Sequence, residues 1–372
     1  MTSPRDRAPI RRFLAARVDE GWMAGAAWWV EGPRGPIDHG AVGWAARAPR
    51  PVALEETTPF DLASLTKPLC TALLLVLLEG EDRIDPTRPV AEWLDELGGS
   101  WVGRASLLDL GSHTARLEAW RPLYLGASDA PGYLAQIAGT RPAVPVGQTL
   151  YSDLGYLLLG LVLERATGRG LDRLFLERVA RPLGLVRLGF AGRGGSFTDA
   201  AATERGNAHE KVLAGRAGAG HRFRTEVLRG EVHDGNAHGL GGVAGHAGLF
   251  GTVADVAAVG RETLHPGAIP LVPSARRRLL VARSACGART VGYVMAAHSR
   301  AARGILPDSA PGHTGFTGTS LWLDPGAGMQ FILLTNRVHP EVGARDFHRV
   351  RRAFHRLALG MAVGADSAPP LQ

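Results

Sequence analysis

Phe60-Asp61-Leu62-Ala63-Ser64-Leu65-Thr66-Lys67-Pro68-Leu69 opens an apolar helix with a serine three residues ahead of a lysine. On a helix, positions three apart face the same way, with Cβ atoms about 5–6 Å apart. The Lys67 amine can therefore reach the Ser64 hydroxyl, which is what proton removal from a hydroxyl nucleophile requires. Pro68 fits only where a helix has just begun, because its missing N–H and its ring would break an interior turn. Ser64 is thus expected at the N-terminal end, among unpaired N–H groups and the positive end of the dipole. A developing oxyanion is favoured there, and a lysine cation is pushed toward the neutral amine. The alternative is an N-cap serine followed by a solvated lysine, although lysine is scarce, with Lys67 and Lys211 the only two in the chain.

Two further stretches carry reactive groups. In Val146-Gly147-Gln148-Thr149-Leu150-Tyr151-Ser152-Asp153-Leu154-Gly155, a phenol, a hydroxyl and a carboxylate lie between a proline-rich loop and an apolar helix. Alone, this reads as an N-capped helix with Ser152 or Asp153 accepting from the first turn. In Gly312-His313-Thr314-Gly315-Phe316-Thr317-Gly318-Thr319-Ser320, glycines mark a strand onset where a ligand or another backbone comes close. Thr314 offers a hydroxyl, His313 a donor, and the strand-edge N–H groups could hold an oxyanion.

Around these stretches the pattern implies an α/β (α+β) chain. A helical period over the first twenty residues sets Ile10, Phe13, Leu14 and Val18 on one face. Strands are expected over 26–30 and 37–44, joined by a Gly-Pro-Arg-Gly-Pro turn. Residues 61–240 read as mostly helical, with a long irregular excursion rich in Gly and Ala over 192–245. Strand signal returns at 290–295, 316–323 and 329–335, the last two joined by Asp324-Pro325-Gly326-Ala327-Gly328. A terminal helix carries Phe347, Val350, Phe354, Leu357 and Met361. Strands at both ends predict one antiparallel sheet built from both termini and flanked by helices, with a mostly helical subdomain inserted. The division expected within one catalytic unit of residues 1–372 is an α/β subdomain of 1–63 plus 245–361, a helical subdomain of 64–244, and a frayed tail of 362–372.

The chain has 372 residues, 45% apolar and 21% charged, enough to bury a full core, so disordered and fibrous classes are excluded. Cys70 and Cys286 lie far apart without CxxC spacing, which excludes a disulfide scaffold and a cysteine zinc site. The net charge of +7 comes from scattered arginine, and the clusters at 276–278 and 348–352 read as solvated helix faces, so no nucleic-acid partner is expected. The N-terminus mixes acids with arginine and lacks the apolar core of a signal peptide, and the apolar runs 69–78 and 154–163 are about half a membrane span. A cytoplasmic protein without a membrane partner is expected.

Together and in this order, the three stretches resemble the serine hydrolases of the beta-lactamase and penicillin-binding-protein superfamily, in its class C-like branch. That pattern is Ser-x-x-Lys, then Tyr-x-Asn, then Lys/His-Thr-Gly. Weaker matches are Leu107-Leu108 with His113-Thr114, Ala247-Gly248-Leu249-Phe250 and Leu334-Thr335-Asn336. The resemblance implies a beta-lactamase/transpeptidase-like fold without metal or cofactor, acting on a small-molecule ester or amide. Ser64 would be the nucleophile that forms an acyl-enzyme, and Lys67 and Tyr151 would share proton transfer. The backbone N–H groups of Ser64 and Phe316 would form the oxyanion hole, with Asp153, His313, Thr314, Gly315 and Asn336 meeting substrate.

Two departures bear on the substrate. Asp153 stands where the pattern has Asn; a carboxylate only accepts, cannot donate to an acylamino group, and holds Lys67 as a cation, shifting the base role toward Tyr151. His313 stands where a lysine is common and is a poorer partner for a substrate carboxylate, although Arg337 could supply that charge. Both favour a carboxylic ester or small amide over a beta-lactam. A beta-lactamase or a D-amino-acid or muropeptide peptidase is the alternative, and a catalytically silent scaffold the alternative of another class.

Other signals are weaker. Gly239-Leu240-Gly241-Gly242-Val243-Ala244 mimics a dinucleotide fingerprint but follows polar residues instead of an apolar strand. His233, Asp234, His238 and His246 lack metal-site spacing, and a loop bordering the cleft, with His233 or His246 at substrate, is the preferred reading. No Gly-x-Ser-x-Gly elbow occurs. Cys70 is expected buried and inert.

Overall fold

The computed structural model describes residues 8–192, 197–281 and 287–366. Cys286 and the end of the expected tail, 367–372, lie outside the described residues.

The strands are β1 (Gly25–Gly32), β2 (Gly35–Ala46), β3 (Val52–Ala53), β4 (Phe60–Asp61), β5 (Gly189–Phe190), β6 (Leu249–Gly251), β7 (Val294–Met295), β8 (Pro311–Thr314), β9 (Ser320–Asp324) and β10 (Met329–Thr335). Seven of them form an antiparallel sheet in the order β3-β2-β1-β10-β9-β8-β7. The N- and C-terminal parts of the chain meet at its centre, where Ala26 pairs with Thr335 and Val30 with Phe331.

Side chains alternate across a strand, so the sheet feeds two cores. Trp28, Val30, Trp322, Phe331 and Leu333 pack with Ile10, Leu14 and Val18 of the helix Ala8–Asp19 and with Val350, Phe354 and Ala358 of the helix His348–Asp366. Ala27, Leu321, Leu323, Ile332 and Leu334 face the other way, against Val256 and Val259 of the helix Val253–Leu264 and the apolar helix after Ser64. Covering on both faces explains why β1 and β10 read as nearly unbroken apolar runs.

A second, small sheet in the order β4-β6-β5 holds Phe60 and Asp61, at the start of the segment that carries Ser64 and Lys67. Phe60 pairs with Gly251 and Asp61 with Phe250. A 3₁₀ turn, Ala63–Leu65, follows, then a π-wound segment, Lys67–Ala72, and the helix Leu73–Gly80. Pro68 has no N–H to give the usual bond, which is compatible with the wide first turns. The run Ala63–Gly80 is long and apolar enough to cross a membrane, but 83% of it is buried inside the protein.

Three boundaries differ from expectation. The strand expected over 316–323 starts later: β8 ends at Thr314, residues 315–319 form a turn, and β9 begins at Ser320. Gly318 makes that turn at φ +102°, where an L side chain is strained. Of 290–295 only Val294–Met295 is strand, with Gly292 at φ +92° interrupting the extended backbone. The terminal helix runs to Asp366, so the chain does not leave helical conformation at 362, where Ala362 is fully buried.

Candidate active site

The turn entering the Ser64 helix is fixed from several directions. Leu62 N–H donates to Leu249 O at 3.0 Å, and Leu249 N–H donates to Thr66 Oγ1 at 3.2 Å, tying it to β6. The Asp61 carboxylate accepts from Ala63 N–H and His233 N–H, both at 2.8 Å. Ala63, just before the serine, has φ +49°, a left-handed conformation that costs a non-glycine residue about 1–2 kcal/mol. The surrounding bonds hold it there.

The β8–β9 turn lies against the same segment. Thr317 Oγ1 donates to Asp61 O at 2.9 Å and Thr319 Oγ1 to Leu62 O at 3.1 Å. A Cβ on Gly315 would stand 2.9 Å from Leu62 O and 3.3 Å from the Ala63 methyl, so only glycine allows this approach. The contact sets Phe316 beside Ser64.

Tyr151 arrives from 87 residues away in sequence, just before the helix Asp153–Thr167. Ser152 caps that helix, accepting from Gly155 N–H at 3.4 Å and donating to Glu118 O at 2.7 Å. The phenol donates to Ser64 Oγ at 2.8 Å. Lys67, wholly buried, donates to Ser64 Oγ at 2.9 Å, to Asp153 Oδ1 at 2.6 Å and to His246 O at 3.2 Å. The hydroxyl, amine and phenol expected from the sequence therefore converge on one point.

Charge in this cluster follows from two opposing effects. Burial pulls the Lys67 ammonium down, but the Asp153 carboxylate, helped by Tyr151, more than offsets it and holds the amine above the ordinary lysine range. Burial pushes the Tyr151 phenol up and Asp153 adds to this, while Lys67 opposes. The resting site is an ammonium–carboxylate pair beside a neutral phenol. The dipole effect expected to neutralise Lys67 is the weaker one here.

Ser64 and Phe316 border a cavity of ≈ 220 Å³ whose wall includes Trp120, Asp153, His233 and His246. Much of it comes from the glycine- and alanine-rich excursion, where Gly235–Gly239 and Ala208–Ala214 are helical. His233 and His246 do face this cleft; His233 Nε2 pairs with Glu204 at 2.9 Å and His246 Nε2 with Asp234 at 2.9 Å.

Of the residues expected at substrate, Asp153 lies in the cavity wall, whereas His313, Thr314, Gly315 and Asn336 do not. Asn336 is 1% exposed, and its amide is engaged by backbone: Oδ1 accepts from Gly25 N–H at 2.8 Å, and Nδ2 donates to Trp44 O and Ala45 O at 3.2 and 3.1 Å. It clamps β1 and β2 and has no group left to present. His313 is 4% exposed, behind Tyr151 with ring centroids 5.8 Å apart, and outside the cavity wall. Burial first, then Lys67 and Arg289, hold it far below the usual histidine range, as a neutral ring. Thr314, at the end of β8, is half-buried beside it.

The Arg337 guanidinium does not stand in for the missing lysine, since it donates to Phe316 O at 2.8 Å and lies over the Phe316 and Phe347 rings. Sequence reasoning missed the cation that does stand near, Arg289, whose guanidinium carbon is 5.5 Å from the Tyr151 ring. It also gave no role to His113, whose Nδ1 accepts from Ser152 N–H at 3.0 Å and whose ring lies 4.7 Å from that of Tyr151. His113 takes φ +60°, a conformation that a motif of two residues does not reveal.

Comparison with known proteins places this geometry. The family model described as Beta-lactamase matches residues 10–354. A putative D-alanyl-D-alanine carboxypeptidase of Escherichia coli K12 is 31% identical over 321 residues, covering 79% of this chain and 72% of the relative. An N-acetylmuramyl-L-alanine amidase of Bacillus subtilis 168 is 30% identical over 325 residues, covering 79% and 71%. Among solved structures, EstCE1, a hydrolase with promiscuous acyltransferase activity, superposes with a TM-score of 0.73 at 19% identity, covering 95% of this chain and all of that one. A class C beta-lactamase superposes with a TM-score of 0.71 at 17% identity, covering 100% and 99%. The convergent serine, amine and phenol thus stand in a known frame, and the chain belongs to the beta-lactamase family, as a serine hydrolase.

Proposed function

We propose that the protein hydrolyses carboxylic esters or small amides through an acyl-enzyme on Ser64. The observation that carries this is the pair of short bonds to one hydroxyl oxygen, Tyr151 at 2.8 Å and Lys67 at 2.9 Å, at the mouth of the cavity. Ser64 Oγ accepts from both, so its own proton has to leave before attack. Loss of one proton from the Tyr151–Lys67 pair creates the base; a Tyr151 phenolate stabilised by Lys67 takes the serine proton. The Oγ–C bond forms, and the N–H groups of Ser64 and Phe316 hold the oxyanion. The bond to the leaving group breaks as the proton passes to it. Water repeats the sequence in reverse and frees the acid.

A fluorophosphonate probe is expected to label the protein at Ser64 and not to label Ser64→Ala. p-Nitrophenyl acetate turnover should exceed that of nitrocefin. No labelling by any acylating probe overturns the reading.

Arg289 favours a second reading. It puts a cation beside Tyr151 near β8, so a peptide amide with a free carboxylate could be oriented there, as the names of the two relatives suggest for those proteins. Faster release of D-alanine from a D-alanyl-D-alanine peptide than of p-nitrophenol from the acetate would favour it.

A further inference from the structure

The wall of the cavity is acidic. Asp61, Asp153, Glu210 and Asp234 all border it. Three of the carboxylates nearby have side-chain partners: Asp153 bonds Lys67 at 2.6 Å, Asp234 bonds His246 at 2.9 Å, and Glu204 behind the wall bonds His233 at 2.9 Å. Asp61 is occupied by two backbone N–H groups.

Glu210 differs. Its Oε1 accepts from Gly235 N–H at 2.9 Å, its Oε2 accepts a 3.5 Å bond from the Asn207 amide, and the neutral Tyr124 hydroxyl lies beside it. No cationic side chain among the described residues pairs with it. The His233 ring acts on it from a distance but is hydrogen-bonded to Glu204 at 2.9 Å, and Arg224 is committed to Asn207 Oδ1 at 2.6 Å and to the Val232 and His233 carbonyls at 2.8 and 2.7 Å. Glu210 is 5% exposed, so its carboxylate is short of both water and a counter-ion. A second polar group stands in the same wall: His246, 1% exposed, has a ring Nδ1 with no hydrogen-bond partner among the described residues.

We infer that this cavity selects substrates whose acyl group carries an ammonium, with Glu210 as its counter-ion and Asp234 as the second carboxylate of the wall. The inference rests on the hydrolase reading, because the acyl group is what a Ser64 adduct holds in the cavity. An aminoacyl amide or ester is the substrate class that fits. Lys67 does not repel it strongly, being wholly buried and already paired with Asp153. A neutral acyl group of the same shape leaves Glu210 unmatched.

A pH dependence follows from this. Burial pushes the Glu210 carboxyl up to about 7; Asp234 adds to that, while His233, the Gly235 N–H and the Tyr124 hydroxyl oppose it. The preference for an ammonium should therefore rise with pH through about 7 and fall once the substrate amine deprotonates at about 8.

The test compares alanine p-nitroanilide, in both enantiomers, with propionic acid p-nitroanilide, which lacks only the amine. We expect kcat/KM for one alanine enantiomer to exceed the propionic value by about tenfold or more, as about 1.4 kcal/mol from one buried charge pair gives. In Glu210→Gln that ratio should fall toward one; general losses of rate or folding cancel in it. Should the variant not fold, wild-type protein still decides: alaninamide should protect Ser64 from the fluorophosphonate better than propionamide does. A wild-type ratio of one or below, equal protection by the two amides, or a ratio kept in Glu210→Gln overturns the inference. Absence of labelling at Ser64 removes the hydrolase reading and this inference with it, whereas labelling with a ratio of one removes the inference alone.

Discussion

At the scale of single residues, the charge of Lys67 is the controlling quantity, and Asp153 sets it. Burial alone would depress the ammonium, and the carboxylate 2.6 Å away reverses the sign. Asp153→Asn removes the reversing charge, so Lys67 should fall to a lower pKa and the neutral amine become commoner at neutral pH. The acid limb of kcat/KM against pH should then move to lower pH; a limb that stays or moves upward would exclude Asp153 as the cause. Tyr151→Phe takes away the proton acceptor but keeps the ring contacts with His113 and His313. It should lower kcat by about 10²–10⁴-fold, with the unfolding midpoint nearly unchanged. Equal turnover by the phenylalanine variant would transfer the base role to Lys67.

At the scale of elements, the site depends on one turn lying against another. The β8–β9 turn reaches the Ser64 turn through Thr317, Thr319 and the bare Cα of Gly315. In Gly315→Ala the new methyl would meet Thr319 Oγ1 at 2.1 Å and Leu62 O at 2.9 Å, so the turns must part. Overpacking of this kind costs about 1–3 kcal/mol, and activity should drop by more than that loss of stability explains, since Phe316 moves with the turn. Asn336 should give the opposite pattern. Asn336→Ala takes the amide away from Gly25 N–H and the Trp44 carbonyl, while the Ala45 carbonyl keeps Ala202 N–H at 2.7 Å; the loss should be about 1–3 kcal/mol by denaturant unfolding. KM should not change, because Asn336 is a clamp between strands. A raised KM with intact stability would return it to the substrate.

At the scale of the whole molecule, buried neutral histidines tie stability to pH. His113, His313 and His355 all lie below the usual histidine range, each chiefly through burial. His355, fully buried between Ser320 and the Ala301 carbonyl, is pulled down to about 4. Between about 4 and 6.5 the unfolded chain binds a proton there that the folded chain does not, so stability falls as pH falls across that window. His355→Gln, which cannot ionise, should flatten the dependence by up to about 1.4 kcal/mol per pH unit. Glu210, pushed up to about 7, acts in the opposite sense over part of that range, which is why the comparison is of one residue and not of the whole curve.

What the amino-acid order determined by itself is what short-range geometry can carry. Ser64 and Lys67 were legible because three residues of helix fix their spacing, and Pro68 marks where that helix starts. The sheet built from both ends was legible because β1 and β10 are apolar over several pleats. Thr314 and Gly315 could be assigned to a strand onset, but the turn at 315–319 follows from contacts with Asp61 and Leu62, more than 250 residues away in sequence. Folding alone decided that Asn336 is a clamp, that His313 is neutral behind Tyr151, that Arg289 supplies a nearby cation, and that Glu210 is in no salt bridge among the described residues. Each of these depends on burial and on partners brought in from distant segments, and neither composition nor periodicity records them.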